Sequence, residues 1–142
     1  MASVSNTEKG KQFQRLALDA LSRLTGLQLE AETEVRIGNK PHRFDLASKD
    51  QKYVAECKAF TWTAGGNVPS AKISTLREAV NYLGQLPEGT RRLLVLKQSL
   101  RAGYSESLAE YFARLNDELL GDVCVIELSD DGSARIIRGR LS

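Results

Sequence analysis

His42-Arg43-Phe44-Asp45-Leu46-Ala47-Ser48, then Lys49-Asp50-Gln51, then Lys52-Tyr53-Val54-Ala55-Glu56-Cys57-Lys58-Ala59-Phe60-Thr61: two short strand-like runs separated by three polar residues read as a tight antiparallel hairpin. With Asp50-Gln51 as its two-residue turn, Lys49 pairs with Lys52, and the same register sets Asp45 opposite Glu56 and Arg43 opposite Lys58. Side chains alternate along a strand, so Glu56 and Lys58 share one face while Ala55, Cys57 and Ala59 point to the other. Two like charges facing each other across a sheet are unfavourable, and one of them holds its proton more tightly unless a cation sits between them. The hairpin therefore asks for a cation.

On the N-terminal side, Phe13, Leu16, Ala17, Ala20, Leu21 and Leu24 recur at helical spacing from about Glu8, and Gly26 stands where a helix ends. From Leu27 the period changes to two. Leu27, Leu29, Ala31, Thr33, Val35 and Ile37 are expected on one face of a strand that Gly38-Asn39 ends. On the C-terminal side a loop, Thr63 to Pro69, leads into a helix marked by Ile73, Leu76, Val80 and Leu83, with Ser70 as its cap. Leu93-Leu94-Val95-Leu96 is a short apolar run suited to a central strand covered on both faces. Leu108, Tyr111, Phe112, Leu115 and Leu119 predict a third helix closed by Gly121. Val123 to Leu128 and Ala134 to Arg138, joined by the turn Asp130-Asp131-Gly132, predict the last strands. The order is αβββαβαββ, an α/β domain with a mixed sheet and helices on its faces.

At 142 residues, 42% of them hydrophobic, the chain is long enough for one core and short for two, so residues 1–142 read as a single domain. A net charge of +2 permits a polyanionic partner without demanding one. Cys57 and Cys124 both fall in strand-like runs, which argues against a disulfide framework or a zinc site, and the expected compartment is the cytoplasm. No stretch has the length of a membrane span, and no apolar leader is visible at the N-terminus.

Lys58 or Arg43 could supply the cation between Asp45 and Glu56, which would make an ordinary ion-paired strand face. A hard divalent ion such as Mg²⁺ or Mn²⁺ could also do so, because such ions take oxygen ligands, commonly one or two carboxylates with water and substrate phosphate completing the shell. Asp45 and Glu56 would be the carboxylates and the backbone carbonyl of Cys57 a third oxygen. Lys58 would orient or deprotonate an attacking water and steady charge developing on phosphorus. An acid-x-Lys triplet arises by chance in a chain of this size, and Asp50-Gln51-Lys52 is a second one. Only Glu56-Cys57-Lys58 lies on a strand beside a partner acid.

Phe44-Asp45 on one strand and Glu56-Cys57-Lys58 on the next, within an αβββαβ order, resemble the PD-(D/E)XK nuclease superfamily, whose fold is restriction-endonuclease-like. The resemblance covers most of the chain, and within the superfamily it is nearest to small Holliday-junction-resolvase-like endonucleases. It implies an αβββαβ core with a mixed central sheet flanked by helices, plus C-terminal strands. It also implies a Mg²⁺- or Mn²⁺-dependent endonuclease that hydrolyses DNA phosphodiesters, with Asp45, Glu56 and Lys58 catalytic, and a homodimer formed through the third helix or the last strands. In such relatives a helix-one glycine is followed four residues later by an acid that assists metal binding and then by Arg. Here the run is Gly10-Lys11-Gln12-Phe13-Gln14-Arg15, so Gln14 keeps an oxygen but no charge, and Glu34 is the acid that would compensate. The alternative implied by Gln14 is a catalytically inactive nuclease-fold module that binds nucleic acid or a protein partner.

Arg43, Lys72, Ser74 and Arg77 are the expected contacts to a phosphate backbone, with a solvated helix start the alternative for the last three. Tyr53 and Trp62 could stack on bases, but aromatics on or near strands are more often core. His42, the only histidine, is expected at the surface beside Pro41. Cys57 reads as a small buried hydrophobe rather than a nucleophile. Arg135, Arg138 and Arg140 either extend a nucleic-acid footprint or protect an edge strand.

Overall fold

The computed structural model describes residues 6–141. Their order is α1 (Asn6–Thr25), β1 (Leu29–Ile37), β2 (Lys40–Ser48), β3 (Tyr53–Lys58), α2 (Ser70–Gly84), β4 (Arg91–Lys97), α3 (Leu108–Leu115), α4 (Asp117–Leu120), β5 (Cys124–Leu128) and β6 (Ala134–Arg138). The strands form one six-stranded sheet in sequence order. Hairpins make β1-β2-β3 antiparallel, β3-β4-β5 run parallel, and β6 returns antiparallel along β5. Parallel neighbours need a crossover, which α2 supplies between β3 and β4 and α3-α4 between β4 and β5. Both crossovers start from parallel strands and step the same way, so the usual handedness puts them on one face of the sheet. There Ile73, Leu76, Leu83, Leu108 and Phe112 pack on Val54, Leu94 and Val125. Phe13, Ala17 and Leu21 of α1 cover the other face, over Ala55, Cys57, Val95 and Ile126.

Four expectations need correction. The β2–β3 turn is not Asp50-Gln51 alone. Gln51 N–H donates to the Ser48 carbonyl, the Ser48 hydroxyl accepts from Tyr53 N–H, and Gln51 takes φ 59°, so residues 49–52 form the loop. The register is nevertheless the expected one, Leu46 opposite Ala55 and Ala47 opposite Val54, because a four-residue loop closes the same strand pair as a two-residue one. Ser70 is the first helical residue of α2, not its cap; Pro69 holds that position. The third helix is interrupted at Asn116, whose side chain donates to the Phe112 carbonyl and accepts from Arg77 Nε, leaving Leu115 and Leu119 exposed.

The fourth correction concerns β1. Its odd-numbered residues do not share a face: Leu29 packs under α1, whereas Val35 and Ile37 pack under α2 and α3. On β2, Leu46 likewise packs under α1 and Phe44 under α2 and α3. Both strands turn over at one level, where Glu32 takes φ 52° and the pairing passes from Ala31–Leu46 to Thr33–Phe44 without joining Glu32 to Asp45. A left-handed conformation at Glu costs about 1–3 kcal/mol and is held there by the packing on either side.

Candidate functional site

Asp45 sits at this turnover, within β2 but without a register partner on β1 or β3. Its N–H donates to Glu56 Oε1 at 3.1 Å, its carbonyl accepts from Gln14 Nε2 at 3.0 Å, and its carboxylate Oδ2 accepts from Cys57 N–H at 2.7 Å. The two acids thus stand in for the ladder bonds that the splayed strands cannot make. Each still has one carboxylate oxygen beyond these bonds. A residue's N–H and C=O leave a strand on the same side, so the Cys57 carbonyl, like its N–H, is directed toward Asp45.

Burial disfavours the charged form of both acids. Glu56 is 7% exposed, and burial, with the Asp45 charge second, pushes its carboxyl up to about 7. Half-buried Asp45 is also raised, chiefly by burial, against the opposing hydrogen bond from Cys57 and the nearby Lys58 charge; Glu32, across the turnover, pushes it further up. Among the described residues neither acid has a cationic nitrogen within 4.0 Å. Two free carboxylate oxygens and one carbonyl oxygen are the donor set of a hard divalent ion that keeps waters in its shell, so the residues fit Mg²⁺ or Mn²⁺. No cluster of three or more His, Cys, Asp or Glu side chains is found among the described residues, which limits the side-chain ligands to this pair.

The site opens into a cleft of about 680 Å³, lined by Asp45, the Gln14 side of α1, the end of β3 and the segment 59–64 that follows it. Asp45 is its one acid, against Lys9, Lys11, Lys58, Lys72 and Lys97. Lys58 and Lys97 stand at the C-terminal ends of the adjacent parallel strands β3 and β4, where open α/β sheets bind their ligands.

The structure thus brings together Asp45, Glu56, Cys57, Lys58, Gln14 and Lys72. It does not bring in Glu34, which faces Arg43 in the β1–β2 pairing, and Glu32 is the β1 acid whose charge acts on Asp45. Arg43 does not pair with Lys58. Ser74 is exposed outside the cleft, and Arg77 is engaged with Asn116 at 2.9 Å. Lys9, Lys11 and Lys97 were missed, the first two because they read as a solvated helix face and the third because it ends an apolar strand. His42 is not a surface residue but lies half-buried, stacked on Tyr82 at 3.8 Å, and burial lowers its pKa. Trp62 is 5% exposed and donates to the Ser99 carbonyl, a core role, and Cys57 is buried, its thiol pushed well up by that burial. Arg135 pairs with Glu127 and Glu110, while Arg138 binds Asp117 and two main-chain carbonyls, so both tie β6 to the body.

A six-stranded mixed sheet with α1 on one face and the crossover helices on the other defines a restriction-endonuclease-like α/β fold. Among solved structures it is similar to an XisH family protein from Nostoc punctiforme, with a TM-score of 0.54 and 14% identity, over 89% of this chain and 98% of that one. SfsA from Pyrococcus furiosus, solved in complex with Ca²⁺, aligns with a TM-score of 0.42 and 17% identity, over 99% of this chain and 66% of that one. At these identities the first likeness establishes the fold. No family model matches the sequence, and no curated protein does.

Proposed function

We propose that the chain is a divalent-metal-dependent endonuclease of the PD-(D/E)XK kind, hydrolysing DNA phosphodiesters in the cleft beside Asp45. The observation that carries this reading is half-buried Asp45 beside buried Glu56, neither with a protein cation within 4.0 Å among the described residues, and Asp45 lining a cleft whose other charges are lysines. Asp45, Glu56 and the Cys57 carbonyl would hold Mg²⁺ or Mn²⁺, which when bound neutralises phosphate charge and lowers the pKa of water. The two backbone bonds, Asp45 N–H to Glu56 and Cys57 N–H to Asp45, fix each carboxylate before substrate arrives. Lys58 holds the attacking water and donates to the oxygens on phosphorus as charge grows there. Water oxygen gives up a proton to solvent and bonds to phosphorus in line with the ester oxygen, which departs with the P–O electron pair and takes up a proton from solvent. Lys72, 5.0 Å from the Phe60 ring centroid, keeps its ammonium at the cleft mouth for a neighbouring phosphate.

The purified protein is expected to cut labelled DNA with Mg²⁺ or Mn²⁺ and not with EDTA. Lys58→Ala should lower the rate by about 10²- to 10³-fold with the fold intact. Cutting that persists in EDTA, or at full rate in Lys58→Ala, would remove the reading. A second reading, a silent nuclease-fold module that binds nucleic acid or a protein, draws on Gln14, which offers Asp45 a neutral hydrogen bond where relatives carry a charge. A salt-sensitive complex with no cut product under any metal would favour it. The proposed homodimer would use Leu115 and Leu119, exposed at the α3–α4 break, and light scattering that finds only monomer would dismiss it.

A further inference from the structure

The cleft does not end at Lys9 and Lys97. These two residues and Ala59 also line an adjoining cavity of about 470 Å³, whose other lining residues are Gln12, Phe13 and Leu16 of α1 and Asp130. That is a groove with cationic rims and an apolar floor, large enough for one nucleotide. The two lysines are held differently: Lys9 extends from the exposed face of α1, whereas Lys97 is placed by the end of the central strand β4. Lys97 meets Asp130 only loosely, at 3.8 Å, with the Asp130 side chain 89% exposed, so a phosphate can displace that contact. The Asp130 charge disfavours a further phosphate beyond it.

We propose, resting on the nuclease reading above, that Lys9 and Lys97 grip the phosphate next to the one cut at Asp45. The Phe13, Leu16 and Ala59 floor takes that nucleotide's sugar and base. A base lying on an apolar floor cannot remain stacked and paired in a duplex, so the substrate class is DNA with an unpaired strand on this side of the scissile phosphate.

Binding in EDTA tests this without cleavage or metal. Fluorescent single-stranded, blunt duplex and overhang oligonucleotides are titrated against the full chain and against Lys9→Gln, Lys97→Gln and Asp130→Asn, with Lys49→Gln in the exposed β2–β3 loop as control, each checked for unchanged melting. The single strand and the overhang should bind about tenfold more tightly than the blunt duplex. Lys9→Gln and Lys97→Gln should each weaken single-strand binding several-fold and reduce the log K against log salt slope by about 0.7. Asp130→Asn should tighten binding, and Lys49→Gln should leave it unchanged. Tighter binding of the blunt duplex, equal losses from Lys49→Gln, unaltered affinity in both lysine variants, or no binding of any oligonucleotide would overturn the proposal. Cleavage activity with normal binding by the lysine variants would overturn the groove and leave the nuclease standing. The expected binding pattern in a protein that never cuts would do the reverse.

Discussion

Glu56 and Glu127 are both buried glutamates on the crossover-helix side of the same sheet, at 7% and 2% exposure, and the molecule treats them in opposite ways. Glu127 on β5 is met by Arg135 from β6 at 2.9 Å, with Gln98 at 3.5 Å. Glu56 on β3 receives only a backbone N–H, and its nearest charged partner in the hairpin is another acid. A fold that needed charge at both places for stability would have paired both, because an unpaired buried charge is among the costliest features a core can hold. The contrast separates an acid that ties two strands together from one that no side-chain cation among the described residues meets, which is the acid the proposed function gives to a metal.

The largest effect that would sharpen this contrast is on chemistry. Asp45→Asn and Glu56→Gln are expected to lower metal-dependent cleavage by about 10³-fold or more, while Glu127→Gln leaves it within a few-fold once folded protein is compared. Equal losses at Glu56 and Glu127 would erase the distinction.

Stability against pH comes next. The Glu56 carboxyl titrates near 7 in the folded chain and near 4.5 when unfolded, so the folded state binds the extra proton between those values. Its contribution is complete below 4.5 and is lost as pH rises through 7, a span of about 3 kcal/mol. Denaturant unfolding of the metal-free protein from pH 4.5 to 8 should show that decline, and Glu56→Gln should flatten it. Millimolar Mn²⁺ should restore stability to the wild type at pH 8 and not to the variant, since only a folded site binds the ion.

Removing the cation from the other glutamate should move stability the opposite way. Arg135→Ala strands the Glu127 charge, one of whose oxygens already lacks a partner, and should cost about 2–3 kcal/mol at pH 7. That is below the full cost of breaking a buried pair because Arg135 itself is 55% exposed. Urea unfolding reads it directly, and an unchanged midpoint would place Glu127 outside the stabilising framework. The smallest effect concerns Gln14. Gln14→Glu sets a carboxylate against the Asp45 carbonyl, so metal-free stability should fall by about 1 kcal/mol while Mn²⁺ affinity rises. A titration in which affinity falls instead would show that the amide, not a missing charge, is what the site requires.

Much of this was legible in the chain. The β2–β3 register followed from where the turn falls and is unchanged by the longer loop, Leu46 opposite Ala55 and Ala47 opposite Val54, because lengthening a loop symmetrically does not shift the strands. The turnover at Glu32 was not legible. Leu29, Ala31, Thr33, Val35 and Ile37 keep period two straight through it, and a left-handed glutamate has no signature such as glycine gives. Leu115 and Leu119 fit a helical period yet lie exposed, since the Asn116 side chain breaks the helix by bonding one turn back and to Arg77, a tertiary contact no local pattern encodes. The lysines around the cleft come from separate elements, and only the fold brings Lys9, Lys58, Lys72 and Lys97 to one opening.

The central claim, that the unpaired acids form a cation site, is tested most directly by calorimetric titration of Mn²⁺ into the metal-free protein at pH 6.5, beside Glu56→Gln. The account predicts saturable binding with release of about one proton per ion in the wild type, because a ligand must shed its proton to bind metal, and no such binding in the variant. Equal Mn²⁺ binding by both proteins, or none by the wild type, would contradict it.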